Sequence, residues 1–101
     1  MTKLAEKEIL ERLKNLKNWE HKENSLIRFI KFKDFVSAVK FIDLLVPIAE
    51  EMEHHPDLEL KNYNELTIRL TTHDEGGVTQ YDFDLAKRIE DLLKSKGISL
   101  N

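Results

Sequence analysis

The feature that most constrains the fold is a strict alternation of apolar and polar residues in the second half of the chain. Residues 66–71 read Leu-Thr-Ile-Arg-Leu-Thr. A period of two is that of a β-strand with one face toward a core and the other open. The segment from Leu66 to Thr72 therefore predicts the fourth strand of a sheet. It follows a predicted hairpin turn at Asn62–Asn64, and we place it at the sheet edge.

Weaker patterns divide the first half of the chain. Helical spacing of apolar residues, after a cap at Thr2, predicts a helix that ends at Asn18. Two strands follow, at 19–22 and 26–32, joined by a turn. In the second of these strands the apolar residues fall on both faces, with Ile27 and Phe29 opposite the core face, so we expect the second face to be partly covered.

Asp34 is a good N-cap for a second helix, which should end before His55 because Pro56 disfavours helical geometry at the preceding residue. Pro47 lies inside this helix and predicts a kink. The apolar stripe expected along it consists of Phe35, Ala38, Val39, Ile42, Val46, Ala49 and Met52.

A third strand is predicted at 58–61, and a last helix begins after a cap at Thr79 and stops at Gly97. The order α-β-β-α-β-β-α implies an α+β fold, with a four-stranded antiparallel sheet and helices packed on one face. A length of 101 residues fits one domain covering 1–101.

Composition excludes several classes of function. The formal net charge is -3, so there is no overall basic field for binding nucleic acid directly. The chain has no cysteine, which rules out disulfides and thiolate chemistry. We see no signal peptide and no apolar stretch long enough to cross a membrane, and we expect a cytoplasmic protein.

Three of the four histidines fall close to predicted element ends. Glu50 and His54 are four residues apart around the end of the second helix, so they can share a face. His55 follows, held extended by Pro56. We expect His73 to end the fourth strand, and parity then directs its side chain away from the core, where a ligand could reach it.

Imidazole is suited to proton transfer near neutral pH, because its unperturbed pKa is about 6.5. A carboxylate such as Glu50 could orient one ring. Surface histidines without a role, and a zinc site built from the same residues, are the alternatives. Adjacent side chains diverge in an extended segment, so His54 and His55 do not easily bind one ion, and we predict no metal and no cofactor.

The spacing of these residues resembles a known signature. Glu50-x3-His54-His55-Pro56 is followed by six residues and Tyr63, nine residues and His73, and eight residues and Asp82. This multi-part pattern is similar to that of the pterin-4a-carbinolamine dehydratases (4a-hydroxytetrahydrobiopterin dehydratases), and the resemblance covers nearly the whole chain.

The resemblance implies a lyase that removes water from 4a-hydroxytetrahydropterin to give the quinonoid dihydropterin, linked to an aromatic amino acid hydroxylase. It implies a homodimer or homotetramer in which sheets join across a two-fold axis. By position, the candidate catalytic residues are His54, His55, His73 and Glu50. The candidate substrate-binding residues are Trp19, Glu53, Thr71, Thr72 and Asp82.

Two features leave the family pattern, Pro47 within the second helix and Glu75 where animal members often carry cysteine. Some relatives are assembly chaperones without these histidines, and animal members also act as dimerisation partners of a homeodomain transcription factor. A non-catalytic adaptor or transcriptional coactivator of the same fold is therefore the alternative function.

Overall fold

The structure is a computed structural model that describes residues 2–95. Its order is α1 (Glu6–Leu13), β1 (Trp19–Lys22), β2 (Ser25–Lys31), α2 (Phe35–Met52), β3 (Asp57–Lys61), β4 (Glu65–Leu70), a 3₁₀ turn (His73–Glu75) and α3 (Gln80–Ser95). The predicted α-β-β-α-β-β-α order and the α+β class are confirmed. The expected stop of the last helix at Gly97 lies outside the described residues.

The four strands form one antiparallel sheet in the order β1-β2-β4-β3. β4 therefore lies inside the sheet, pairing with β2 on one side and with β3 on the other. Our placement of β4 at the sheet edge was wrong, because the hairpin with β3 uses only one of its two edges. The strands at the edges are β1 and β3.

Two tight turns set the hairpin registers. Glu23 and Asn24 both have positive φ, which is the backbone of the two-residue turn that matches strand twist, and they join Lys22 to Ser25. In the second hairpin Asn62 and Tyr63 also have positive φ. The predicted turns are therefore present at both places.

The core lies between the helices and one face of the sheet. Leu66, Ile68 and Leu70 of β4 are completely buried, as the alternation predicted. They belong to the same cluster as Phe41 and Leu85 of the helices. On the opposite face, Phe29 is largely exposed and Ile27 is half-buried, so residues 2–95 cover that face only in part.

The first helix begins later than we predicted. Ala5 precedes it, and the Ala5 N–H donates to the Glu8 side chain at 3.1 Å. Thr2 is not the cap because the segment before Ala5 is tied elsewhere, with the Leu4 N–H donating to the Val78 carbonyl at 2.8 Å.

The second helix runs from Phe35 to Met52 across Pro47, and Asp34 caps it by accepting from the Ser37 N–H at 2.8 Å. Its buried residues are Ala38, Phe41, Leu45 and Ala49. Our predicted stripe mixed two faces, because Phe35, Val39 and Val46 are exposed. The helix is apolar on both sides, which is why spacing alone did not identify the core face.

Candidate active site

The C-terminus of α2 determines where the paired histidines go. Glu53 adopts a left-handed conformation, with φ of 51°. The His54 N–H donates back to the Ala49 carbonyl at 3.1 Å, and the Glu53 N–H donates to that of Glu50 at 3.2 Å. This pair of bonds is a Schellman cap, in which glycine is the usual left-handed residue. The cap ends the helix so that His54 turns toward the start of α3.

His54 is bound to a buried carboxylate. Its Nε2 lies 2.5 Å from Oδ1 of Asp82. The His54 side chain is 13% exposed and that of Asp82 is 0% exposed. The ring of Tyr81 lies beside the imidazole, with 5.8 Å between ring centroids. Because one ring nitrogen is held by Asp82, the other nitrogen, Nδ1, is the one free to exchange a proton with a ligand.

Asp82 is held in turn by the first turn of α3 and by the segment after β4. Its Oδ2 accepts from the Thr79 N–H at 2.9 Å and from the Thr72 hydroxyl at 2.9 Å. The Tyr81 N–H donates to the Thr79 hydroxyl at 3.2 Å, which completes a reciprocal cap of the helix. Both carboxylate oxygens are therefore used within the protein, which argues against the direct substrate contact that we expected for Asp82.

His55 lies in a different environment from His54. Its Nε2 contacts Oε2 of Glu50, and the two side chains are 62% and 68% exposed. Glu50 was expected to share a face with His54, but the sharp turn at Glu53 leaves it beside His55. An apolar groove between α2 and β3, lined in part by Val46 and Leu58, reaches this pair.

His73 does not end β4. The strand stops at Leu70, and His73 begins the 3₁₀ turn with its side chain exposed. Strand parity therefore does not set the direction of the His73 side chain, because the backbone is not an extended strand as far as residue 73. His73 still belongs to the same region, since Thr72 immediately before it is bonded to Asp82, which is bonded to His54.

The remaining candidate residues lie in varied positions. Trp19 is buried on edge strand β1, and its indole N–H donates to Glu90 at 2.9 Å. Arg28 shares the same Glu90 oxygen at 2.8 Å. The Thr71 hydroxyl donates to the Asn24 carbonyl at 2.8 Å. Glu53 is exposed on the α2 cap. Hydrogen bonds join His54 and Thr72 to Asp82. Trp19 contacts α3 at Glu90, about two turns beyond Asp82.

A metal site was an alternative for these histidines. Within residues 2–95, no group of three or more His, Asp or Glu side chains is arranged to hold an ion. The rings of His54 and His55 are each bound to a different carboxylate, Asp82 and Glu50. The geometry therefore suits two separate imidazole–carboxylate pairs.

The link between His54 and Asp82 is the part of the site that the sequence did not predict. The signal for the cap was present, because Thr79 and Asp82 have the spacing of a reciprocal helix cap. By resemblance, Asp82 was predicted as a substrate contact. Its pairing with His54 depends on packing the end of α2 against the start of α3, which residue spacing does not show.

Comparison with known proteins now decides the family. The family model described as pterin 4 alpha carbinolamine dehydratase matches residues 2–92. The chain belongs to the pterin-4a-carbinolamine dehydratase family. It is 43% identical to a relative from Metallosphaera sedula whose name assigns it to this family, over 93% of this chain and 97% of that one. A similarly named relative from Sulfurisphaera tokodaii is 47% identical, over 92% and 99%.

Solved structures support the same assignment to the carbinolamine dehydratases. A transcriptional coactivator/pterin dehydratase from Brucella melitensis superposes with a TM-score of 0.84 at 33% identity, covering 90% of this chain and 98% of that one. A pterin dehydratase-like RuBisCO assembly factor of the alpha-carboxysome superposes with a TM-score of 0.62 at 20% identity, over 77% and 89%, which shows a shared fold. Within residues 2–95, no helix is long and apolar enough to cross a membrane.

Proposed function

We propose that the protein dehydrates a 4a-hydroxytetrahydropterin to the quinonoid dihydropterin by histidine acid–base catalysis. The observation that carries this proposal is the His54–Asp82 pair, in which a buried carboxylate orients a nearly buried imidazole beside the segment that bears His73. Family membership supplies the substrate class. The role would be recycling of a tetrahydropterin used by an aromatic amino acid hydroxylase, in the cytoplasm.

The reaction needs two proton transfers. The bond from C4a to the hydroxyl oxygen breaks, a proton is delivered to that oxygen, and water leaves. A proton is removed from the neighbouring ring nitrogen, and a C=N bond forms there. Two groups of moderate basicity can perform these steps together, and a well-placed acid or base contributes about 10²–10⁴ in rate.

We assign the proton transfers to His54 and His73. Asp82 accepts from Nε2–H of His54, so the lone pair of the neutral ring is on Nδ1, which acts toward the substrate. His73 is exposed and free to turn toward the same ligand. His55, bonded to Glu50, would help to position the substrate from the outer side. The backbone of Thr71 and Thr72, with Glu53 and Trp19, remains our proposed set of further substrate contacts.

The test is turnover of a synthetic 4a-carbinolamine by the purified chain, measured as the rate above the uncatalysed reaction. We expect acceleration that is saturable in substrate. A rate equal to the uncatalysed reaction, with the protein folded by circular dichroism, would refute the proposed activity.

Because neither imidazole pair is arranged for an ion, we also propose catalysis without a metal or an organic cofactor. Activity should be unchanged after exhaustive chelation and dialysis. Zinc bound in stoichiometric amount, with activity lost on its removal and restored on its return, would contradict this.

We further propose that the protein is a homo-oligomer, a dimer or a tetramer. Two surfaces support this: the unpaired edge of β3, and the exposed apolar face of α2 formed by Phe35, Val39 and Val46. Light scattering should give a mass above that of the 11.9 kDa chain. A proline at Thr67 would not test assembly, because Thr67 lies in an interior strand and proline would disrupt the sheet itself.

A cleaner assembly test changes α2. Val39→Lys places a charge on the exposed apolar face and should reduce the assembled fraction. Val36→Lys is the matched control, because Val36 is also exposed but lies about 60° around the helix from Val39, outside the face of Phe35, Val39 and Val46. Equal assembly by both variants would exclude this face of α2 as an interface.

The second candidate function is that of a non-catalytic adaptor or coactivator. The observation that favours it is the same exposed apolar face of α2, which could bind another protein. The structural neighbour from Brucella melitensis is named both coactivator and dehydratase. An adaptor without catalysis would fold and assemble, but it would leave the dehydration rate unchanged.

A further inference from the structure

Thr72 has a role that neither its position in the chain nor the family signature assigns. We propose that its hydroxyl is a positioning group for His54: it fixes Asp82, which fixes the tautomer and orientation of the imidazole. The proposal rests on the proposed function for its effect on turnover, but not for its effect on the imidazole, which can be measured without any substrate.

The directions of the hydrogen bonds follow from counting protons. An ionised Asp82 can only accept, so the proton in its contact with His54 is on Nε2 and the Thr72 hydroxyl donates its only proton to Oδ2. The oxygen of Thr72 also lies 2.8 Å from that of Thr79. Since the proton of Thr72 is already used, the Thr79 hydroxyl must be the donor there, while it accepts from the Tyr81 N–H.

The result is one directed chain of bonds that runs from the Tyr81 N–H through the hydroxyls of Thr79 and Thr72 to Asp82. It ends on a carboxylate that is 0% exposed. No buried side-chain nitrogen or oxygen within residues 2–95 lacks a partner. Because each hydroxyl proton of this buried network has an acceptor, the network has one low-energy arrangement, and the hydrogen bonds within it strengthen each other. His54 is therefore held in one tautomer.

The backbone of Thr72 is itself fixed. Its N–H donates to the Gly77 carbonyl at 3.0 Å, and its carbonyl accepts from the Glu75 N–H at 3.0 Å. These bonds close the loop that begins with His73. A single residue thus connects the two histidines to which we assign the proton transfers, because its side chain fixes the carboxylate behind His54 and its backbone fixes the start of the His73 turn.

The contribution of this hydroxyl can be separated from that of the backbone by an isosteric series. Thr72→Val keeps the shape and removes both the donor and the acceptor. Thr72→Ser keeps the hydroxyl and should restore what valine removes. Thr67→Val is the matched control. It makes the same change in β4, the strand that precedes Thr72, on the face of the sheet opposite the core.

The first readout is the ¹⁵N chemical shifts of the His54 ring nitrogens in the ligand-free protein, recorded where the ring is neutral. We expect the wild type and the Thr72→Ser and Thr67→Val variants to show a proton on Nε2. Thr72→Val should show shifts averaged between both tautomers. The second readout is turnover, where Thr72→Val should lower kcat about tenfold while KM changes less than about threefold, the pattern of a lost transition-state interaction.

The outcomes separate the two proposals. If the wild type has no turnover but Thr72→Val alters the His54 shifts, the positioning role stands and the proposed function fails. If Thr72→Val keeps both the wild-type shifts and the wild-type kcat, the positioning role is wrong. Should the valine variant not fold, Thr72→Ala takes its place under the same criteria.

Discussion

His54 and His55 are neighbours in the chain, each bonded to a carboxylate, yet they occupy opposite environments. The His54–Asp82 pair is nearly buried, and its carboxylate accepts two further hydrogen bonds. The His55–Glu50 pair is mostly exposed on both sides. The same two chemical groups, an imidazole and a carboxylate, thus give one pair fixed by the protein and one pair exposed to solvent. The turn at Glu53 produces the difference, because it sends one imidazole inward and leaves the other at the surface.

The contrast indicates which pair can be preorganised for chemistry. Inside a protein, a hydrogen bond is electrostatically stronger than in water. For the same reason, a buried polar group that lacks a partner destabilises the folded state more than an exposed one. An exposed ion pair has a median worth of about 0–1 kcal/mol, because water and salt screen it. We therefore expect His54 to depend strongly on its carboxylate and His55 to depend weakly on its own.

The largest effect should come from breaking the buried pair. Asp82→Ala removes the acceptor of three hydrogen bonds and leaves their donors without partners. Loss of a buried partner costs about 1–3 kcal/mol for each unsatisfied group, so the free energy of unfolding should fall by at least about 2 kcal/mol. Urea denaturation measures it. Glu50→Ala is the control, and we expect little change in its free energy of unfolding. If Glu50→Ala lost as much as Asp82→Ala, the contrast between the two pairs would be wrong.

The histidines themselves give the next test. His73→Ala should lower kcat about tenfold or more with the fold retained, because it removes one of the two proposed proton-transfer groups. For His55→Ala we expect mainly a higher KM, since we assign that residue to substrate positioning. Steady-state kinetics on both variants decides the assignment. A fall in kcat with His55→Ala, and none with His73→Ala, would reverse the two roles.

A smaller effect concerns the turn that separates the two environments. A left-handed conformation costs a non-glycine residue roughly 1–2 kcal/mol, so Glu53→Gly should raise the free energy of unfolding by about 1 kcal/mol. The cap would be retained and His54 would stay in place. Chemical denaturation can measure the gain, and a destabilised Glu53→Gly variant would show that the Glu53 side chain has a stabilising contact.

The smallest effect comes from Asp34, a half-buried counterpart of Asp82 at another helix N-terminus. Hydrogen bonds from the Ser37 side chain and backbone hold the pKa of Asp34 below its ordinary value of 3.8. A lowered pKa in the folded state adds stability that is present above the ordinary value and is lost as pH falls through the folded value. Asp34→Asn keeps an acceptor for the cap but removes this titration.

The Tm of the wild type minus that of Asp34→Asn should therefore be constant above about pH 5. Below about pH 4 this difference should fall, because the wild type loses stability there and the variant does not titrate at this position. Thermal unfolding followed by circular dichroism across this range provides the check. A difference that does not depend on pH would show that the Ser37 bonds do not depend on the charge of Asp34.

The sequence predicted features that depend on local pattern. The alternation at 66–71 identified the buried face of β4, and Asp34 and Thr79 were correct helix caps because capping is decided within a few residues. The resemblance placed the three histidines in one family signature. What it could not supply was the partner of each ring, since the carboxylate bound to His54 is 28 residues away in the chain.

The errors have physical reasons of the same kind. β4 was placed at an edge because its pairing with β2 is a long-range contact, invisible in the local pattern. His73 was assigned to the strand, but the bonds between Thr72 and Gly77 close a loop two residues after the strand ends. The α2 stripe failed because this helix presents apolar residues both to the core and to the outside, and only packing decides between them.

The central claim is that an imidazole held by a buried carboxylate catalyses the dehydration, and His54→Ala tests it most directly. The measurement is the initial rate of carbinolamine dehydration by wild type and variant, at equal concentrations of folded protein and saturating substrate. We expect kcat to fall by about tenfold or more in the variant, which is the scale of a lost general acid or base. A variant with the full wild-type kcat would contradict the account.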